Sequence, residues 1–211
     1  MRRKTEAKRQ AIIKAAAEMF KEMGSDRASM SAIAARVGGS KATLYGYFKS
    51  KEELLLAVMT SMAAGTSEEM VLPGTTSQVL AALAPAEHFH AQLERLAMAL
   101  LSLVLSPDML ALRRLVQAGG GGRGVNQIAF EQGPKRLYLH IAGFLEQGMK
   151  DGHLRQADPW IAAMHLRGLI ESEYVDRLLV GDIVTITPKM VRDAALRALD
   201  VFWRAYGTGK A

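Results

Sequence analysis

The chain has 211 residues, 49% of them apolar and 23% charged, a balance that suits a folded globular protein and argues against disorder. It has no cysteine, which excludes disulfides and thiolate metal sites, and no apolar run nears the roughly 18–20 residues of a membrane span, so a soluble, cytoplasmic protein is expected. The net charge of +6 is uneven: residues 1–51 carry 12 Lys/Arg against 4 Asp/Glu, whereas residues 52–211 carry 15 against 17.

In chain order the pattern is almost entirely helical. In AKRQAIIKAAAEMFKEMG, Ile13, Ala16, Ala17 and Phe20 fall on one helical face, and Gly24 supplies a stop. Ser29 or Ser31 caps a short helix that buries Ile33, Ala34 and Val37 and ends at Gly38-Gly39. Ser40 caps the next, with Leu44 and Phe48 on its inner face. Ser50 caps a fourth, whose Glu52 and Glu53 suit the positive end of the helix dipole. Residues 63–77 read as a loop or bent connection. An apolar helix is predicted from about Pro85 to Leu105, and a short one opens at Pro107-Asp108. Five glycines in the seven residues 118–124 predict a mobile break. A helix over 134–150, a turn at 151–159, and two long helices at about 158–180 and 188–206 complete an all-α fold with no internal repeat.

Helix, short helix, tight glycine turn, short helix is the order of a three-helix helix-turn-helix unit. A basic head on a near-neutral body points to a polyanion for the head. Nucleic acid fits better than an acidic membrane, because the head lacks the continuous apolar face of an interfacial helix.

The stretch GGSKATLYGYFKSKEELL, preceded by SMSAIAARV and an amphipathic first helix, resembles the DNA-binding head of TetR/AcrR-type transcriptional regulators over residues 5–60. Residues from PDMLALRRLV through EQGPKRLYLHIAGFLEQGMKDGHLRQADPWIAAMHLRGLIES resemble the C-terminal domain of the AefR-like branch. The resemblance implies a DNA-binding domain at 1–51 and a ligand-binding and dimerisation domain at 52–211. It implies a homodimeric regulator, a repressor released from a palindromic operator by a small, largely apolar ligand.

The head's chemistry agrees. A short helix fits the major groove with its N-terminal residues at base edges. Ser40 and the helix start offer N–H groups to a phosphate. Lys41 suits guanine O6/N7, and Ala42 permits close approach or touches a thymine methyl. Thr43 and Tyr45 have hydroxyls for phosphates or base edges. The resemblance makes Tyr45 the most typical DNA contact and Tyr47 and Lys51 phosphate clamps. The family usually has threonine where this chain has Ala28, so Ser29 or Ser31 has to supply that phosphate contact. Gly46, a weak helix former on the exposed face, is expected to contribute nothing of its own. The basic segment MRRKTEAKR reads either as an arm against DNA or as disorder.

For the body, the resemblance places the dimer surface on the last two long helices, where Leu166, Leu169, Ile170, Val191, Ala195, Leu199 and Phe202 have suitable spacing. The alternative is that these rows are intramolecular core. The ligand site is expected among polar residues on apolar helices, Arg114, Gln117, Tyr138, His140, His165 and Glu171, together with Met98 and Met164, since methionine suits adaptable apolar pockets. Ordinary packing is the competing reading for each. His88-Phe89-His90 is no metal motif, because i, i+2 side chains on a helix diverge and no carboxylate or cysteine set completes it. The glycine run is no phosphate loop, having neither a preceding strand nor a following Lys-Ser/Thr. No cofactor is expected, and no nucleophile–base–orienter set is visible, so an enzyme is not expected. The other readings are a helical small-molecule binder with an incidental basic head, and an activator of the same family not gated by a small ligand.

Overall fold

The computed structural model describes residues 5–64, 76–84, 88–118, 122–182 and 185–209. Among them there is no strand, only an isolated bridge between Leu154 and Gly207. The helices are α1 (Glu6–Arg27), α2 (Met30–Arg36), α3 (Lys41–Tyr47), α4 (Lys51–Ala64), α5 (Thr76–Ala82), α6 (Phe89–Val104), α7 (Pro107–Gln117), α8 (Gly122–Gln132), α9 (Pro134–Lys150), α10 (Pro159–Glu171), α11 (Val175–Leu179) and α12 (Pro188–Tyr206). They form two compact units, Met1–Ala63 with Ala111–Gly133, and Ala64–Leu110 with Pro134–Ala211.

The starts of α1 to α4 each have a side-chain cap that satisfies a backbone N–H the helix itself cannot. Thr5 accepts from the Lys8 N–H, Ser29 from Ala32, Ser40 from Thr43 and Ser50 from Glu53. At α4 the Glu53 carboxylate also accepts the Lys49 N–H at 2.6 Å. The α2–α3 turn is a Schellman closure: Gly39 N–H donates to Ala34 O and Gly38 N–H to Ala35 O, with Gly38 at φ 67°. Only glycine takes that φ without a Cβ penalty.

Gly24 interrupts the helix as predicted: at φ 80°, ψ 159° it is non-helical, and a further helical turn runs on beyond the kink to Arg27. Ile12, Ile13, Ala16, Phe20, Ile33, Leu44 and Phe48 are buried, while Ala17 and Val37 are half-buried. Arg36 grips Glu22 with two hydrogen bonds of 2.7 Å, joining α2 to α1. Lys8 Nζ donates to Val37 O at 3.0 Å, closing the C-terminal end of α2. The predicted boundary at 51/52 differs from the packing: α4 buries Leu54, Leu55, Val58 and Met59, and the unit runs on to Ala63.

In the second unit α6 lies at the heart of the core, with Leu93, Leu96, Ala97, Leu100 and Leu101 buried. Ile141 and Leu145 of α9, Ala162 and Leu166 of α10, and Ala195 and Phe202 of α12 pack in the same cluster. The buried Gln92 amide donates to Leu83 O and Ala84 O, both at 2.9 Å, and so satisfies the carbonyls after α5. The predicted continuous helix over 158–180 is broken at 172–174. There Ser172 Oγ donates to Leu169 O at 2.8 Å, Tyr174 turns inward, and Glu173 is held by Arg197 at 2.6 and 2.8 Å. Two helices were not predicted, α5 and α8. The latter begins at Gly122 (φ 62°), inside the glycine run expected to be a break. The rest of that run, the centre of the 63–77 connection, and the start of the basic N-terminal segment lie outside the described residues.

Candidate nucleic-acid interface

In α3 the inner and outer faces separate cleanly. Leu44 is buried and Phe48, its C-terminal cap residue, is buried too, while Lys41, Ala42, Thr43 and Tyr45 are exposed. Tyr45 shows 44% of its surface, and the Lys41 ammonium stands 5.8 Å from its ring centroid. This i, i+4 cation–π pair holds the flexible lysine on the same outward patch as the ring. Ser40 Oγ accepts the Thr43 N–H at 3.1 Å and lies 2.9 Å from Thr43 Oγ1. The Ser40–Thr43 pair uses one of the two hydroxyl protons, and Lys41, Ala42 and Tyr45 complete the exposed face of α3.

Tyr47 is half-buried, and its hydroxyl accepts the Thr5 N–H at 3.1 Å. The phenolic proton stays available for a phosphate oxygen, and the ring ties the start of α1 to the end of α3. Lys51 opens α4 and is half-buried. Ala28 is fully buried, so a threonine there would have to find room in the core. Ser29 spends its hydroxyl as the α2 cap, and Ser31 lies exposed in the first turn.

The predicted ligand residues are dispersed. Arg114 and Gln117 are exposed and belong to the first unit. His140 is exposed on α9, and Met98 and Met164 are half-buried against the second unit's core. His165 Nδ1 lies 2.5 Å from the Tyr206 hydroxyl, an intramolecular tie between α10 and α12. Tyr138 and Glu171 are brought together by a residue the sequence reading passed over. Arg167 lies 5.3 Å from the Tyr138 ring centroid and donates from Nε to Glu171 at 2.9 Å. Burial opposes the Arg167 charge, but Tyr138 and Glu171 outweigh it and hold the guanidinium above its ordinary range. The signal was present as an i, i+4 Arg–Glu pair on an apolar helix.

The predicted interface rows are largely internal. Leu166, Ile170, Val191, Ala195, Leu199 and Phe202 are buried in the chain's own core, and Leu169 is half-buried. Their apolar surface is already covered within the chain, whereas Ile161 of α10 and Leu196 and Val201 of α12 are exposed. His88 is the extended residue before α6, so the His88-Phe89-His90 stretch is not all helical. Phe89 stacks with Phe144 (4.9 Å) and with His153 (5.0 Å), and His90 lies on the Trp203 ring at 3.9 Å. No group of three His, Cys, Asp or Glu among the described residues could hold a metal ion. No single described helix is long and apolar enough to cross a membrane.

Known proteins share this arrangement. Residues 12–58 match the family described as bacterial regulatory proteins, tetR family, and residues 91–208 match the AefR-like transcriptional repressor, C-terminal domain. An HTH-type transcriptional regulator of Bacillus subtilis, YhgD, itself uncharacterised, is 24% identical over 152 residues, covering 72% of this chain and 74% of that protein. A TetR-family regulator from Mesorhizobium loti superposes with a TM-score of 0.79 at 25% identity, covering 97% of this chain and all of that one. The flavonoid-responsive regulator FrrA superposes with a TM-score of 0.73 at 27% identity, covering 98% of this chain and all of its own. With a helix-turn-helix head of matching sequence and a matched C-terminal domain spanning more than half its length, the chain belongs to the TetR family of DNA-binding transcriptional regulators.

Proposed function

We propose that the protein is a cytoplasmic, homodimeric, sequence-specific repressor that leaves a palindromic operator when a small, largely apolar ligand occupies its second helical unit. The outward Lys41–Tyr45 pair on α3 carries this reading, because it presents a positive charge and a rigid hydroxyl on a helix whose other large side chains are buried or half-buried. The concentration of positive charge in residues 1–51 supports it.

A seven-residue α3 spans only about 10 Å and reads few base pairs alone. Two copies on a two-fold axis read both halves of a palindrome about 34 Å apart. The exposed Ile161, Leu196 and Val201 suit the surface that would join them. Release then follows from linkage: ligand and operator favour different separations of the two heads, so each weakens the other. Tyr138, Arg167, Glu171, Met98 and Met164 are the residues we assign to the ligand. The name of FrrA, a relative in fold, makes flavonoids the first ligands to test.

The test is selection from a random duplex library with the purified protein, beside Tyr45→Ala. One palindrome enriched by wild type and lost in the variant is the expected result, and flavonoids then serve as probes for its release. A folded wild type that enriches no duplex would refute the reading.

A further inference from the structure

The start of α1 is fastened to the other helices of the head at three places. Lys8 Nζ donates to the carbonyl of Val37, the C-cap residue of α2, at 3.0 Å. The Arg9 guanidinium stands 5.3 Å from the ring centroid of Phe48, the C-cap residue of α3. These two cations of the basic segment MRRKTEAKR are half-buried and spent inside the head. The third tie is at Thr5, whose N–H donates to the Tyr47 hydroxyl at 3.1 Å, 42 residues on.

That last bond does not follow from the local sequence. Thr5 is the N-cap of α1, and its N–H is one the helix cannot satisfy. In a capping box a Glu or Gln at the third helical position accepts it. Here that position is Lys8, whose side chain has no acceptor. A tyrosine of α3 takes the part, so the helix that turns Lys41 and Tyr45 outward also fixes where the chain enters α1. A hydroxyl accepts and donates at once, and among the described residues nothing accepts the Tyr47 proton. A phosphate oxygen that takes this proton strengthens the Thr5 bond, because hydrogen bonds in a chain polarise one another.

Residues 1–4, MRRK, bring three more cations, and four residues reach at most about 14 Å. Duplex DNA carries one charge about every 1.7 Å of its axis, so that reach passes several phosphates. We propose that Tyr47 is a positioning residue: by accepting the Thr5 N–H while donating to a phosphate, it directs Arg2, Arg3 and Lys4 along the duplex that α3 reads. The inference rests on the DNA-binding reading of α3 above. Of the two readings the sequence leaves for this segment, it takes the arm against DNA.

The experiment uses the full chain and the palindromic duplex enriched by the wild type. The variants are Tyr47→Phe, the triple change Arg2→Ala, Arg3→Ala and Lys4→Ala, and the two combined. Binding is followed by fluorescence anisotropy between 50 and 200 mM salt, and folding by circular dichroism and thermal unfolding. The triple change should lower the slope of log K against log salt by about 2.7 for each head on the duplex. Tyr47→Phe removes no cation, yet it should lower the slope by at least half as much, because the arm is no longer directed. The combined variant should match the triple change in slope. Tyr47→Phe that weakens binding with an unchanged slope overturns the proposal and leaves Tyr47 a phosphate clamp only. A slope unaltered by the triple change overturns it independently, and that change precedes the first helix, so it tests the arm even where Tyr47→Phe unfolds. If the wild type enriches no duplex, the regulator reading itself fails before any of these variants is made.

Discussion

At Gly148 the packing of one aromatic ring decides what residue is possible. Phe89 stacks with Phe144 and with His153, and the Trp203 ring is edge-on at 6.0 Å. A Cβ at 148 would lie 2.3 Å from Phe89 Cζ and 2.5 Å from Cε2. The ring would have to give up its stacking on Phe144 and His153, or α6 and α9 would have to shift. Overpacking of this kind costs about 1–3 kcal/mol. Gly148→Ala should therefore lower the unfolding midpoint by several degrees. The opposite sign is expected for the chemically identical change at Gly143, where the space is open, and a thermal melt of the two variants side by side checks both. The His88-Phe89-His90 motif finds its meaning here. Phe89 is half-buried and packs against the core, and His90 lies on the Trp203 ring.

Among the elements, the junction of α1 and α2 depends on charge. Arg36 donates two hydrogen bonds to Glu22, and these, more than its Coulomb attraction, hold the Glu22 carboxyl below the ordinary carboxylate range. Glu52, at the start of α4, is lowered chiefly by its own backbone N–H and by Ser50. Both groups bind protons more weakly folded than unfolded. Their contribution is complete above the unfolded value, about 4.3, and disappears as pH falls through the lowered folded values. Urea unfolding should show stability decreasing from about pH 5 toward pH 3. Arg36→Ala should make that decrease shallower, because Glu22 then has no reason to differ from its unfolded state. An unchanged slope would show that the pair is too well solvated to matter.

How far each element was legible depends on where its determinants lie. The first four helices announce themselves because their caps are local: Ser29, Ser40 and Ser50 each bond the N–H three residues on, and the Gly38-Gly39 pair closes α2. The same locality made the outward set Lys41, Ala42 and Tyr45 readable. By contrast α8 starts inside a glycine run that by composition should break any helix. The break at 172–174 depends on Arg197, which is 24 residues away from its partner Glu173. The rows on α10 and α12 were found by period, but period cannot tell an intramolecular core from a partner's surface. The Arg167 contact with Tyr138 joins two helices and leaves no trace in either one's pattern.

For the whole molecule, the uneven charge turns into a dependence on salt. Each phosphate that a lysine or arginine neutralises releases condensed counterions, and log K then falls with log salt by about 0.9 per phosphate. If Lys51 is a phosphate clamp in both copies of a dimer, Lys51→Ala should reduce the slope by about 2 and weaken operator and unrelated duplex alike. Tyr45→Ala should act differently: it should reduce the preference for the operator over unrelated duplex with little change in slope, because its hydroxyl displaces no cation. Lys189, exposed on α12 and bonded to Asp193, gives the baseline, since its removal should leave the slope unaltered. Titrations of wild type and the three variants between 50 and 200 mM salt separate these roles. A slope reduced by about 1 instead of about 2 at Lys51 would mean that a single head engages the duplex at a time, which would exclude the two-headed reader while leaving the head's own chemistry in place.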